Sequence, residues 1–203
     1  GRKQEIPELK QDSCKTLCWN RTNVIQEPGM EFVIPRGMLY DDAPLCTAVA
    51  GDSSNLSFEY TLDARHTPLH GFCQLAVGIR NDTLADKSKY YIRNRVGKWT
   101  SSVGGKYDNG WMKADIRQWG NFSVAVDTIA PSVTPIGQNL WRTRRDIRFR
   151  VSDGQTGIAS YKVLIDGKFV LFALKKGVLI IQDPDRVKKG VPHTAEVIVT
   201  DNC

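Results

Sequence analysis

The chain has 203 residues, 41% of them hydrophobic and 25% charged, and a net charge of +6. These totals fit a globular protein of one large or two ordinary domains, and no run of 18 apolar residues is present to cross a membrane as a helix. Gly1-Arg2-Lys3 lacks the apolar stretch of a secretory leader, so the chain reads as a mature or excised piece.

Residues 1–28 are polar and weakly patterned between Pro7 and Pro28. They read as a linker that docks on the neighbouring domain, with Trp19 as its anchor. Residues 31–34 form a strand, Pro35-Arg36-Gly37 a turn, and Asp41-Asp42-Ala43-Pro44 another turn. Leu56, Phe58 and Tyr60 alternate on one face, and residues 63–71 are a loop. Residues 75–79 are apolar again. Tyr90-Tyr91-Ile92 and residues 96–100 suggest two strands around a polar Arg93-Asn94-Arg95, and residues 81–89 allow one helical turn. Asn109-Gly110 between Tyr107 and Trp111 predicts a tight hairpin, because both residues tolerate positive φ.

Phe122, Val124 and Val126 then alternate until Asp127, and Pro131 ends any ladder. Here one domain is expected to hand over to the next through a link of about four residues, with little independent motion. In the second half, Ile147, Phe149 and Val151 alternate inward. Residues 158–165 and 168–174 flank an Asp166-Gly167 turn, residues 178–182 are apolar, and residues 194–200 close the pattern. Short strands with frequent turns and no long helix predict an all-β fold of two consecutive β-sandwich domains. The expected divisions are a linker at 1–28, a sandwich at 29–128 and an immunoglobulin-like or fibronectin-like sandwich at 129–203. Six strands are countable in the last, one fewer than the usual seven, as if a final strand were missing.

The charge is uneven. Residues 129–203 carry 12 Lys/Arg against 7 Asp/Glu, while residues 1–128 carry 16 against 15. A basic second half favours anionic surfaces, or it is only a solvated basic face. Five cysteines, Cys14, Cys18, Cys46, Cys73 and Cys203, leave at least one thiol without an internal partner. A Cys14–Cys18 bridge is one option, and Cys46 and Cys73 sit in strand-like settings that suit buried free thiols.

Catalytic constellations are weak. His66, His70 and His193 are the only histidines, and Pro68 breaks the helical spacing that His66 and His70 would need to share a zinc ion. No nucleophile elbow and no phosphate loop occur, and Asp41-Asp42 suits a turn. Two constellations remain. Asp127, Asp153 and Asp201 lie at strand ends where oxygen ligands could hold calcium, with strand-end turn chemistry as the plainer account. Trp141, Arg142, Arg144 and Arg145 combine an aromatic with three arginines, suited to stacking on sugars or binding phosphates, with a solvated loop as the alternative. Sequons begin at Asn20, Asn55, Asn81 and Asn121.

The passage Trp119-Gly120-Asn121-Phe122-Ser123-Val124-Ala125-Val126-Asp127-Thr128-Ile129-Ala130-Pro131 resembles the entry to immunoglobulin-like modules of secreted bacterial proteins. Val197-Ile198-Val199-Thr200-Asp201-Asn202-Cys203 is similar to the passage near their end. With the hairpin over residues 158–172, these resemble the region C-terminal to the peptidase domain in Bacteroidetes zinc endopeptidases of the lysostaphin/LytM class. That class uses H-x-x-x-D and H-x-H motifs, and neither is present here. The resemblance therefore implies a non-catalytic accessory region of a periplasmic or cell-surface protein that cuts peptidoglycan. No cofactor is expected in this chain, and zinc would belong to a separate peptidase domain. The implied partners are peptidoglycan, another envelope glycan or the adjacent peptidase domain, and not nucleic acid. A stand-alone adhesin or glycan-binding module, using Trp141 and its arginines or Trp99 and Trp111, is the alternative, and an enzyme in its own right ranks last.

Overall fold

The computed structural model describes residues 13–51, 55–64 and 67–203. The described residues are all-β and divide into two compact units. The first runs to Asp127 and takes in Cys203, and the second spans Thr128–Asn202. Five residues, 127–131, separate the last strand of the first unit from the first strand of the second. No described helix is long and apolar enough to cross a membrane.

The first unit holds eleven strands among the described residues. They are β1 (Ser13–Leu17), β2 (Asn23–Glu27), β3 (Met30–Ile34), β4 (Ala43–Ala50), β5 (Glu59–Asp63), β6 (Cys73–Gly78), β7 (Tyr90–Val96), β8 (Trp99–Gly104), β9 (Lys106–Asp108), β10 (Trp111–Ile116) and β11 (Gly120–Val126). One antiparallel sheet runs β1-β4-β5-β11-β7-β8, the other β2-β3-β6-β10-β9. Alternation explains the layering. Phe32 and Ile34 on β3, Leu75 and Val77 on β6, Leu62 on β5 and Phe122 on β11 are fully buried and meet in one core shared by both sheets. The Asn109-Gly110 turn has φ of 47° and 85°, the left-handed pair that a two-residue hairpin between β9 and β10 demands.

Three expectations fail here for physical reasons. Residues 13–27 are not a linker. β1 pairs with β4 and β2 with β3, and Leu17 and Ile25 enter the core. Trp19 is not the anchor, because its ring is exposed and only its backbone is held, its N–H donating to Asp42 Oδ1 (3.0 Å) and its carbonyl accepting from Gly37 (3.1 Å). Arg93-Asn94-Arg95 does not interrupt a strand. β7 runs through it and turns only at Gly97-Lys98.

The cysteine pairing departs from the Cys14–Cys18 option and from a free Cys46, while Cys73 is the buried free thiol expected of its strand. Cys14 and Cys46 lie directly opposite in the β1–β4 register and form a disulfide, while Cys18 and Cys73 remain thiols. Cys73 is buried, and burial pushes its thiol up to about 11.

The second unit carries β12 (Ser132–Ile136), α1 (Trp141–Arg144), β13 (Arg148–Ser152), β14 (Ile158–Ile165), β15 (Lys168–Phe169), β16 (Phe172–Lys175), β17 (Val178–Ile181) and β18 (Ala195–Asp201). The sheets are β12-β13-β17-β16 and β15-β14-β18. Phe149, Val163, Val170, Phe172 and Leu179 pack between them. The first sheet has the A-B-E-D order of an immunoglobulin sandwich. The stretch 168–174, read as one strand, is two. Val170 N–H still bonds Val163 of β14 (3.2 Å), but the Leu171 carbonyl already accepts from Gln182 (2.9 Å), just past the end of β17. The chain changes sheets between these residues, which raises the strand count to seven among the described residues. β18 is an edge strand.

Candidate functional site

Trp141 opens the site. After β12 the chain turns left-handed at Gly137, makes one 3₁₀ turn over Gln138–Leu140 and continues as α1, which ends at a left-handed Arg145 (φ 54°). The indole N–H donates to the Ile136 carbonyl (2.8 Å), and the ring meets Phe149 edge-on at 5.1 Å. Trp141 is therefore fixed to the core by one face and one hydrogen bond. Arg145, four residues on and on the same side of the helix, donates to Asp185 Oδ1 (2.8 Å) and to the carbonyls of Pro184 and Val187. It ties α1 to the segment between β17 and β18.

These two residues frame a cavity of about 420 Å³, within the size range of small-molecule sites. Its floor is apolar, from Trp141, Ile147, Ile181 and Val187. Its rim is cationic, from Arg142, Arg145, Lys188, Lys189 and His193, and no Asp or Glu among the described residues lines it. Arg145 is engaged in the contacts above. Arg142, Lys188 and Lys189 are exposed, and their side chains have no hydrogen bond or ion pair among the described residues. Of the four residues singled out in the sequence, Trp141, Arg142 and Arg145 come to the cavity. Arg144 is exposed and lies outside its lining. Lys188, Lys189 and His193 were not singled out. The dibasic pair is plain in the sequence, but its meeting with α1 depends on how the strands between them are wound.

His193 closes one side. Its Nδ1 lies 2.6 Å from Asp166 Oδ2 and its Nε2 2.7 Å from the Lys188 carbonyl. Both partners are acceptors, so both ring nitrogens must carry protons, which defines an imidazolium. The bond to Asp166 chiefly, then that to Lys188, raises the His193 pKa above the ordinary value. Asp166 is lowered, first by the Thr194 N–H (2.9 Å) and then by His193. The charges facing the pair are those of Lys188 and Lys168. The His193 contribution is complete below the ordinary histidine value, about 6.5, and is lost as pH rises through the raised value. The Asp166 contribution is lost instead as pH falls through its lowered one. The expected result is a His193 ring that keeps both nitrogens protonated to a pH above the ordinary histidine value, and amide exchange over residues 188–193 that accelerates above its folded pKa. A ¹⁵N ring titration centred at or below 6.5 rules this clasp out.

Of the acidic group, Asp127 belongs to the first unit and Asp153 and Asp201 to the second. Asp127 is buried just past the end of β11, its N–H donating to the Lys89 carbonyl (2.9 Å). In the second unit, carboxylate oxygens of Asp153 and Asp201 come within 4.8 Å of each other. Asp153 Oδ2 accepts the backbone N–H groups of Gln155, Thr156 and Gly157 at 3.0, 2.7 and 2.6 Å, and Asn202 Nδ2 donates to Thr156 O (2.7 Å). These three bonds are turn chemistry at Oδ2. Of the histidines, His66 lies outside the described residues, and His70 stacks on Tyr40 at 5.0 Å. Trp99 is 84% exposed at the start of β8, and Trp111 starts β10 in the other sheet.

A family model, the Zu5-like domain, matches residues 14–127. The chain belongs to the Zu5-like domain family. The match begins at Cys14 and ends at Asp127, so it takes in both sheets of the first unit and leaves the cationic cavity outside the Zu5-like part. Neither a curated protein nor a solved structure matches the chain.

Proposed function

We propose that this chain is a non-catalytic, extracytoplasmic accessory region that binds an envelope glycan such as peptidoglycan and thereby positions a neighbouring cell-wall endopeptidase domain. The observation that carries the reading is the cavity of the second unit. It combines a fixed indole, an apolar floor and three uncommitted cations, the means by which proteins hold sugars and their acidic substituents. The Cys14–Cys46 bridge favours an oxidising compartment. The resemblance of residues 119–131 to the entry of secreted bacterial modules points the same way.

The test is co-sedimentation of the full chain with purified peptidoglycan sacculi. The wild type and an Arg144→Ala control are expected in the pellet, and a variant with Arg142→Ala, Lys188→Ala and Lys189→Ala in the supernatant. Equal pelleting of all three removes the cavity from the proposal. Release of soluble muropeptides by this chain alone, stopped by a chelator, would overturn its non-catalytic character.

A further inference from the structure

We infer that the cavity beside Trp141 recognises a sugar through an anionic substituent, a carboxylate, rather than through its neutral hydroxyls. The inference rests on the glycan-binding reading and narrows it. Three features of the site support it.

The first is the sign of the rim. Arg142, Lys188 and Lys189 approach the opening from two separate segments, and no acidic side chain among the described residues lines it. Like charges gathered at one mouth repel one another. Their proximity is relieved by a bound anion, and a neutral sugar gives no such relief.

The second is the division of labour among the cations. Arg145 is held by Asp185 and two carbonyls, and His193 by Asp166 and a carbonyl. These two build the walls. Arg142, Lys188 and Lys189 have their donors unspent, and such donors bind a carboxylate by short charge-assisted hydrogen bonds.

The third is the floor. Trp141, Ile147 and Ile181 offer an apolar surface, Gln138 is the one neutral polar side chain in the described lining, and the indole N–H is already bonded to Ile136. Discrimination must then come from the rim. A sugar ring lies against the floor while its acidic arm reaches Arg142 and the two lysines.

N-acetylmuramic acid and N-acetylglucosamine make a matched pair of probes, since the first differs by a lactyl ether that carries a carboxylate. Ligand-observed NMR with the full chain is expected to show N-acetylmuramic acid binding at least about tenfold more tightly, the value of one charge-assisted hydrogen bond. Raising the salt should erode that preference. Lys188→Ala with Lys189→Ala should abolish it, and Arg144→Ala should leave it intact. These substituted side chains are all exposed, so unchanged far-ultraviolet dichroism keeps the comparison valid. Equal binding of the two sugars, indifferent to the lysine pair, overturns this inference and leaves glycan binding standing. Failure of both sugars to bind removes the glycan-binding reading and this inference with it.

Discussion

Replacing Cys14 and Cys46 together by serine is expected to destabilise the first unit by about 3–4 kcal/mol. The bridge closes a loop between residues 32 apart, and a loop of that length restricts the unfolded chain by roughly this amount in the chain-entropy account. The folded side of the balance has little to replace it. Among the described residues β1 is an edge strand with one neighbour, β4, and the disulfide joins the two strands at facing positions. Beside Cys14, Leu17 is the residue of β1 whose side chain reaches the core among those described. Without the covalent link β1 is expected to fray, exposing the unpaired edge of β4. Urea unfolding followed by fluorescence in a Trp141→Phe background isolates the first unit, because Trp19, Trp99, Trp111 and Trp119 all lie in it. Cys18→Ser is the matched control, a thiol four residues away, and should shift the midpoint little. A double variant that unfolds with the wild type would show that the bridge adds nothing to this fold.

Much of the architecture was legible where the signal was local. Asn109-Gly110 and Asp166-Gly167 announce hairpins because the turn itself requires positive φ, and both pairs adopt it. Ile147, Phe149 and Val151 face the core because alternation alone decides a strand's faces. What was not legible depends on distant partners. β1 and β2 each give the core a single large apolar residue, Leu17 and Ile25, so their pattern is too sparse to signal strands. Their strand state comes from β4 and β3. Ala43-Pro44 suggested a turn, yet both residues lie in β4, where Pro44 stands opposite Thr16. The sheet change at Val170 leaves alternation unbroken, with Phe169 and Leu171 exposed and Val170 and Phe172 buried, so no periodicity could reveal it.

The candidate site divides in the same way. Trp141, Arg142 and Arg145 were found because one short helix carries an aromatic and arginines together. Lys188, Lys189 and His193 were missed because five strands, β13 to β17, lie between them and α1. Asp153 was legible at a strand end, where the sequence offered turn chemistry or a cation ligand, and three backbone N–H groups of its own turn bond Oδ2.

Gly120→Ala is expected to destabilise the first unit by roughly 2–3 kcal/mol through overpacking. Gly120 begins β11, in the stretch where the sequence placed its handover between domains. Its role is steric. A Cβ there would lie 2.0 Å from Asn94 Oδ1 and 2.8 Å from Asn94 Cγ, distances no relaxed structure tolerates. Asn94 belongs to β7 and faces Phe122 in the register, so it sits diagonally beside Gly120 on the paired strand. A flexible surface side chain would swing aside at little cost. Asn94 is only 4% exposed, and its Oδ1 is already buried without a hydrogen-bond partner among the described residues, so it has no open space to enter. The clash must then move β11 against β7, in the sheet interior where β11 also pairs with β5. A double-mutant cycle separates this account from a general intolerance of alanine. Asn94→Ala removes the obstructing amide, so the double variant should be more stable than the two single losses predict, by about 1 kcal/mol or more. A Gly120→Ala chain that unfolds at the wild-type urea midpoint would mean that β7 and β11 yield more easily than their packing implies.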